Sequence, residues 1–147
     1  MKLLIIFAST ISIVFCASNE SVKINCGGTF NGNQYVITSP NYPNNYPNNQ
    51  NCIYKLNGDP SAKCEQEFLF QFIDFNIRTS ENCKNDYLQI GEQNIFCSSK
   101  SGFRRIKGKN NVLNVIFHSD ESETAKGFKI LVTPLACGKN EGYRLKN

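Results

Sequence analysis

The chain has 147 residues, of which 40% are hydrophobic and 19% are charged, and its formal net charge is +4. This length fits one domain with its own core, and so small a charge gives no reason to expect a nucleic-acid partner. Seven cysteines favour an oxidising compartment over the cytosol, where thiols are kept reduced.

The first predicted element is a secretory signal peptide. The chain starts with a lysine, continues with an almost wholly apolar stretch over residues 3–15, and then has the small residues Cys16, Ala17 and Ser18. We expect a signal peptide over residues 1–17. A lipoprotein signal ending in cysteine is the alternative, and Phe15 fits it poorly. The later sequence has no apolar run long enough to span a bilayer, so the product is expected to be secreted and extracellular.

Strand patterns and turn residues alternate through the rest of the chain. Residues 40–52 carry three prolines and two tyrosines, and they cannot form a helix because proline fixes φ and extends the residue before it. Turn signals recur every eight to twelve residues, which favours an antiparallel sandwich or barrel. The predicted strands are residues 34–37, 53–56, 67–77, 86–90, 94–97, 112–118 and 128–133.

The longest predicted strand, residues 67–77, has apolar residues on both faces. Phe68 and Phe72 share one face with Phe70, while Leu69 and Ile73 lie on the other. A strand that is apolar on both sides is expected in the middle of a sandwich.

Several short motifs, in this order, together resemble the CUB domain family. The resemblance covers residues 26–133 and implies an all-β, jelly-roll-like sandwich of two antiparallel sheets. We assign residues 26–137 to this domain, with a short segment before it at residues 18–25 and a short tail after it at residues 138–147. The motifs are C-G-G at Cys26, S-P-N-Y-P-N-N-Y-P at residues 39–47, D-F-N-I at 74–77, D-Y-L-Q-I at 86–90, F-H-S-D at 117–120 and G-F-K-I at 127–130.

The same resemblance implies disulfides, which the cysteine count alone leaves open. Without the signal peptide six cysteines remain, and six allow fifteen pairings. The family pattern joins Cys26 to Cys52 and Cys83 to Cys97. The remaining two, Cys64 and Cys137, resemble the additional bridge of some arthropod CUB domains, with free thiols or an intermolecular link as the alternatives.

Many CUB domains hold calcium at one end of the sandwich, and the resemblance carries that ligand set only in part. Tyr46, Asp86 and Asp120 match the family's tyrosine and two aspartates, but Arg78 stands where a glutamate is expected. Calcium takes six or more oxygen ligands, and a guanidinium supplies none. We therefore expect no calcium and no other cofactor, with Arg78 forking onto one or both aspartates. Glu81 or Glu121 swinging in is the route by which a calcium site could be rebuilt.

A basic run at residues 100–109 holds five cations and no acid. Such a run can bind a sulfated glycan or an anionic lipid. The alternative is a solvated edge strand whose charges prevent sheet-to-sheet aggregation. The five cations are Lys100, Arg104, Arg105, Lys107 and Lys109.

Catalysis is not expected. His118 is the only histidine, and the chain has neither a nucleophile-elbow nor a zinc-protease motif for it to serve. The leading hypothesis is a non-enzymatic protein that binds an extracellular protein or glycan, and it resembles the secreted single-CUB-domain proteins of arthropod venom or saliva. The alternative is a modulator or decoy derived from the CUB region of a secreted serine protease.

Overall fold

The computed structural model describes residues 26–137, so the predicted signal peptide, the segment at residues 18–25 and the tail at residues 138–147 lie outside the described residues. Within that range the chain forms strands and one short 3-10 turn, Glu81–Cys83, and no helix is long and apolar enough to cross a membrane. The strands are β1 (Gly28–Phe30), β2 (Tyr35–Thr38), β3 (Gln50–Asn57), β4 (Glu67–Ile77), β5 (Tyr87–Ile90), β6 (Asn94–Phe96), β7 (Ser98–Ser99), β8 (Gly102–Lys107), β9 (Val112–Ser119) and β10 (Gly127–Pro134).

The strands form two sheets that pack face to face. The first sheet has the order β1-β3-β9-β5-β6, and the second has the order β2-β10-β4-β7, with β8 beside β7 on the same edge of β4. Among the described residues, β1 and β3 pair in parallel and the other strand pairs are antiparallel. The predicted all-β sandwich is confirmed.

Side chains of alternating residues from both sheets form one core. Phe117 of the first sheet meets Phe128 of the second edge to face, with ring centroids 5.5 Å apart, and both rings are fully buried. Full burial of a side chain of this size stabilises the fold by about 1.5–3 kcal/mol. Phe68 and Phe70 are buried in the same core.

The outer face of β4 differs from the expectation. Phe68, Phe70 and Phe72 are buried as predicted, but Ile73 is 51% exposed and Leu69 is half-buried. The strand is central within its sheet, between β10 and the pair β7 and β8, but no second layer covers its outer side in the described part of the chain. The apolar residues on both faces correctly predicted that β4 is central in its sheet. They did not predict correctly that its outer face is buried.

Three disulfides tie the loops to the sheets. Cys26 bonds to Cys52 on β3, and Cys83 bonds to Cys97, which follows β6. The third bond joins Cys64, before β4, to Cys137, after β10, across a sequence separation of 73. These are the pairs that the family resemblance implies.

Candidate functional site

Three loops meet at the end of the sandwich where β3 and β10 begin and where β4 and β9 end. They comprise the proline-rich segment before β3, the loop between β4 and β5, and the loop between β9 and β10. The loops bring together the four residues that the sequence placed at a degenerate calcium site, Tyr46, Arg78, Asp86 and Asp120.

A buried tyrosine and a buried carboxylate connect the three loops. The hydroxyl of Tyr46 donates to Oδ2 of Asp86 at 2.6 Å and accepts from the backbone N–H of Arg78 at 3.0 Å. Oδ1 of Asp86 accepts from the backbone N–H of Asp120 at 2.9 Å. Both side chains are almost completely buried, and two donors compensate the cost of burying the carboxylate. Burial and the hydrogen bond to Asp86 raise the pKa of Tyr46 above its ordinary value, so the phenol remains a donor.

Arg78 lies between the acids of the β9–β10 loop. Its Nη1 reaches both carboxylate oxygens of Asp120, at 2.9 and 3.1 Å, and also donates to the carbonyl of Ser122. Its Nε pairs with Oε2 of Glu123 at 3.0 Å. Asn85 donates to Oδ2 of Asp120 at 2.6 Å. These five residues are called the Arg78 cluster below.

Of the two aspartates considered as partners, Arg78 pairs with one, and it also pairs with a glutamate that the sequence did not assign to it. Arg78 pairs with Asp120, whereas Asp86 accepts from Tyr46 and from a backbone amide instead. The second acid is Glu123, which the sequence did not indicate as a partner of Arg78. The Glu123 side chain is 77% exposed and its backbone is in the left-handed region with φ 54°, so this pairing depends on the shape of the turn and not on spacing along the chain.

The residues present at this site do not fit a calcium ion. A guanidinium nitrogen lies 2.9 Å from Asp120, where it takes up the oxygens that a metal would need. Glu81 pairs with Lys84 at 4.0 Å, and Glu121 is exposed. Over residues 26–137, no group of three or more histidine, cysteine, aspartate or glutamate side chains is placed to hold a metal ion.

The Arg78 cluster predicts an acid-sensitive contribution to stability. Hydrogen bonds from the Ser122 backbone and from Asn85, together with the charge of Arg78, lower the pKa of Asp120 below its ordinary value of 3.8. A lowered pKa in the folded state stabilises the fold above the ordinary value, and this contribution is lost as pH falls through the folded value. We expect the free energy of unfolding to fall below about pH 4, and part of that fall to be missing in Asp120→Asn.

Denaturant unfolding between pH 2 and pH 7 measures this effect. Glu121→Gln removes a neighbouring exposed carboxylate and should follow the wild-type profile. If wild type and Asp120→Asn had parallel pH profiles, the coupling would be absent.

The five cations of the basic run do not form one patch, because strand β8 places them in different surroundings. Arg105 and Lys107 project from the outer face of β8 and pair with Glu67 at 3.8 Å and Glu65 at 2.6 Å. Arg104, one residue out of phase, donates to the carbonyl of Phe103 at 2.7 Å. The outer two lie beyond the strand, Lys100 before its start and Lys109 in the turn to β9.

Comparison with known proteins gives a consistent family match. A family model described as CUB domain matches residues 26–131. The chain is 34% identical to human cubilin over 116 residues, covering 73% of this chain and 3% of cubilin. It is 30% identical over 117 residues to embryonic protein UVS.2 of Xenopus laevis, covering 76% of this chain and 22% of that protein. The chain thus spans less than a quarter of the length of either relative.

Solved structures give the same result at the level of the fold. The extracellular region of zebrafish Gpr126/Adgrg6 is 28% identical with a TM-score of 0.64, over 76% of this chain and 15% of that one. The MASP-1 CUB2 domain bound to Ca2+ is 27% identical with a TM-score of 0.60, over 74% of this chain and 99% of that one. The second structure is a calcium-bound domain of nearly the same extent as the region described here.

Proposed function

This chain is a member of the CUB domain family, and from that membership we propose that it is a secreted, non-enzymatic protein that binds an extracellular protein or glycan without using calcium. The observation that carries the proposal is the ion pair of Arg78 with Asp120 and Glu123. Fold alone would not suffice, since one fold serves many functions.

The guanidinium of Arg78 connects the loops at this end of the domain, as a bound divalent cation would. It is held between acids of the β9–β10 loop, and its own backbone N–H is hydrogen-bonded to Tyr46 of the proline-rich segment. An arginine is permanently charged and cannot dissociate from the chain. The loops are therefore expected to stay ordered whatever the calcium concentration.

The absence of catalysis is supported by the surroundings of the lone histidine. His118 stacks on Tyr87 with ring centroids 5.1 Å apart, and its Nδ1 lies 3.2 Å from the amide oxygen of Asn51. The contact with Tyr87 is between the two rings and the contact with Asn51 is to an amide oxygen, and neither is the hydrogen bond from a hydroxyl or thiol to histidine that activates a nucleophile. Cubilin and the MASP-1 CUB2 domain are similar to this chain.

The second candidate function is that of a decoy derived from a protease-associated CUB region.

The source of the protein forms part of the proposal. The asparagine- and lysine-rich composition and the Cys64–Cys137 bridge support secretion from an arthropod gland, as a component of venom or saliva. Identifying the tissue that expresses the transcript tests this directly.

Binding to intact cell surfaces and to extracellular fluid tests the proposed function. We expect the labelled mature protein to bind saturably, with equal affinity in 2 mM calcium and in excess EDTA. Calorimetric titration should give no calcium heat, and the melting temperature should be the same in both buffers.

Reduced and unfolded protein is the control for non-specific adsorption. Binding that disappears in EDTA would contradict the calcium-free mechanism, and the absence of any saturable binding would contradict the binding role. Recovery of an endogenous serine protease as the bound partner would favour the decoy.

A further inference from the structure

A cleft of about 980 Å3 lies on the outer side of the first sheet, beneath the turn that joins β8 to β9. Three lysines line it, Lys55 from β3 and Lys107 and Lys109 from either side of the turn, against two carboxylates, Glu65 and Glu92. The cleft is therefore cationic, and it lies at the opposite end of the sandwich from the Arg78 cluster.

The cleft already holds an anion supplied by the chain itself. The carboxylate of Glu65 accepts from Nζ of Lys107 at 2.6 Å, and this hydrogen bond, with the charges of Lys107 and Lys109, lowers the pKa of Glu65. The Glu65 side chain is 52% exposed, so water screens the pair and the carboxylate can be displaced. An incoming anion that displaced Glu65 would contact the ammonium group of Lys107 within the field of the Lys109 charge.

The remaining lining favours a carbohydrate over a peptide as the carrier of that anion. The amides of Asn110 and Asn114 line the cleft beside the lysines, and both are exposed. An amide has donors and an acceptor in one plane, which suits the paired hydroxyl groups of a sugar ring. Ile116 supplies an apolar patch on the floor.

We propose that this lysine cleft binds a sulfated glycan, with Lys55, Lys107 and Lys109 contacting sulfate groups and Glu65 competing as an internal anion. The proposal rests on the proposed function and names the class of its partner. The set of cations also differs from the basic run, because three of its five cations do not line the cleft, whereas Lys55, distant in sequence, does. The three are Lys100, Arg104 and Arg105.

Titration with a heparin-derived oligosaccharide at low salt tests the proposal. We expect Lys109→Ala to weaken binding and Glu65→Gln to strengthen it, each by up to about fivefold, which is the range for exposed charge pairs. Matched controls come from the Glu81–Lys84 pair at the other end of the domain. Lys84→Ala and Glu81→Gln change the net charge by the same amounts as Lys109→Ala and Glu65→Gln, and they should leave the affinity for the oligosaccharide nearly unchanged. Arg104→Ala, which removes a cation outside the cleft, should also leave it nearly unchanged.

Two results would overturn the proposal. Equal effects of the cleft variants and their matched controls would mean that heparin senses only net charge. Polyglutamate of equal charge binding as tightly as the oligosaccharide would mean that the cleft recognises acidic peptides. Either result would leave the calcium-independent cell-surface binding intact, so failure here is distinguishable from failure of the proposed function.

Discussion

Arg78→Glu is expected to convert this domain into one that binds calcium, with a Kd in the range of about 10⁻⁴–10⁻³ M that extracellular modules show. The substitution removes the guanidinium that pairs with Asp120 and Glu123 and adds a carboxylate beside them. A divalent ion about 4 Å from a guanidinium is opposed by on the order of 8 kcal/mol at an effective dielectric of about 20. Removing that repulsion and adding an oxygen ligand act in the same direction.

Calorimetry and the melting temperature in 5 mM calcium measure this gain. Arg78→Gln is the matched control, since it also removes the cation but supplies only a neutral amide, and it should bind calcium much more weakly than Arg78→Glu. Circular dichroism shows whether each variant is folded. Wild-type protein binding calcium as tightly as Arg78→Glu would show that Arg78 does not block the site, and a folded Arg78→Glu without calcium binding would show that the other ligands are unsuitable.

The contrast between an arginine and an ion has consequences for how this end of the domain works. A bound ion leaves when calcium is depleted, and the loops it holds then lose their anchor. Here the anchor is a side chain of the protein itself, one residue after β4, and the neighbouring Tyr46–Asp86 hydrogen bond is buried. A partner that docks on these loops would therefore meet the same surface at low and at high calcium concentration.

The sequence predicted the regular strands well because half-buried strands leave a period-two pattern. Residues 67–77 were predicted with the observed bounds, and residues 112–118 fell one residue short of β9. The short strands β1 and β7 were not predicted, since two or three residues display no clear period, although β6, also of three residues, lies within the predicted strand 94–97. Strand β8 was considered only as an edge strand, since one buried residue, Ile106, is its whole core-facing signal.

The contacts within the Arg78 cluster and the lysine cleft depend on turns and strand pairing more than on the spacing of residues along the chain. The positions of Arg78 and Asp120 followed from the family pattern, but the contribution of Glu123 depends on a left-handed residue in a loop. Asn85 reaches Asp120 across 35 residues, and the lysine cleft combines Lys55 with residues more than 50 positions away. Contacts of this kind are set by strand register, which a single sequence does not reveal.

Replacing both Cys64 and Cys137 by serine is expected to lower the free energy of unfolding by about 4 kcal/mol, because the bond closes a long loop in the unfolded chain. Both residues are exposed, so the change leaves no cavity. The comparison variant, Cys83→Ser with Cys97→Ser, opens a loop of sequence separation 14 rather than 73, for which chain entropy alone gives about 3 kcal/mol, and burying a serine hydroxyl at Cys97, which is 6% exposed, adds to that cost. Urea unfolding of the two double variants measures the difference.

The folded structure should survive the loss of this bridge, because other contacts hold the same chain ends together. Gln66 is 3% exposed; its side chain accepts from the Asp59 amide at 2.6 Å and donates to the Leu135 carbonyl at 2.9 Å. The backbone N–H of Leu135 also donates to Glu67 at 2.8 Å. We therefore expect the double variant to keep wild-type heparin affinity at the neighbouring lysine cleft while unfolding at lower urea. A stability loss below about 1 kcal/mol, or free thiols in the wild-type protein, would show that Cys64 and Cys137 are not bonded to each other in solution.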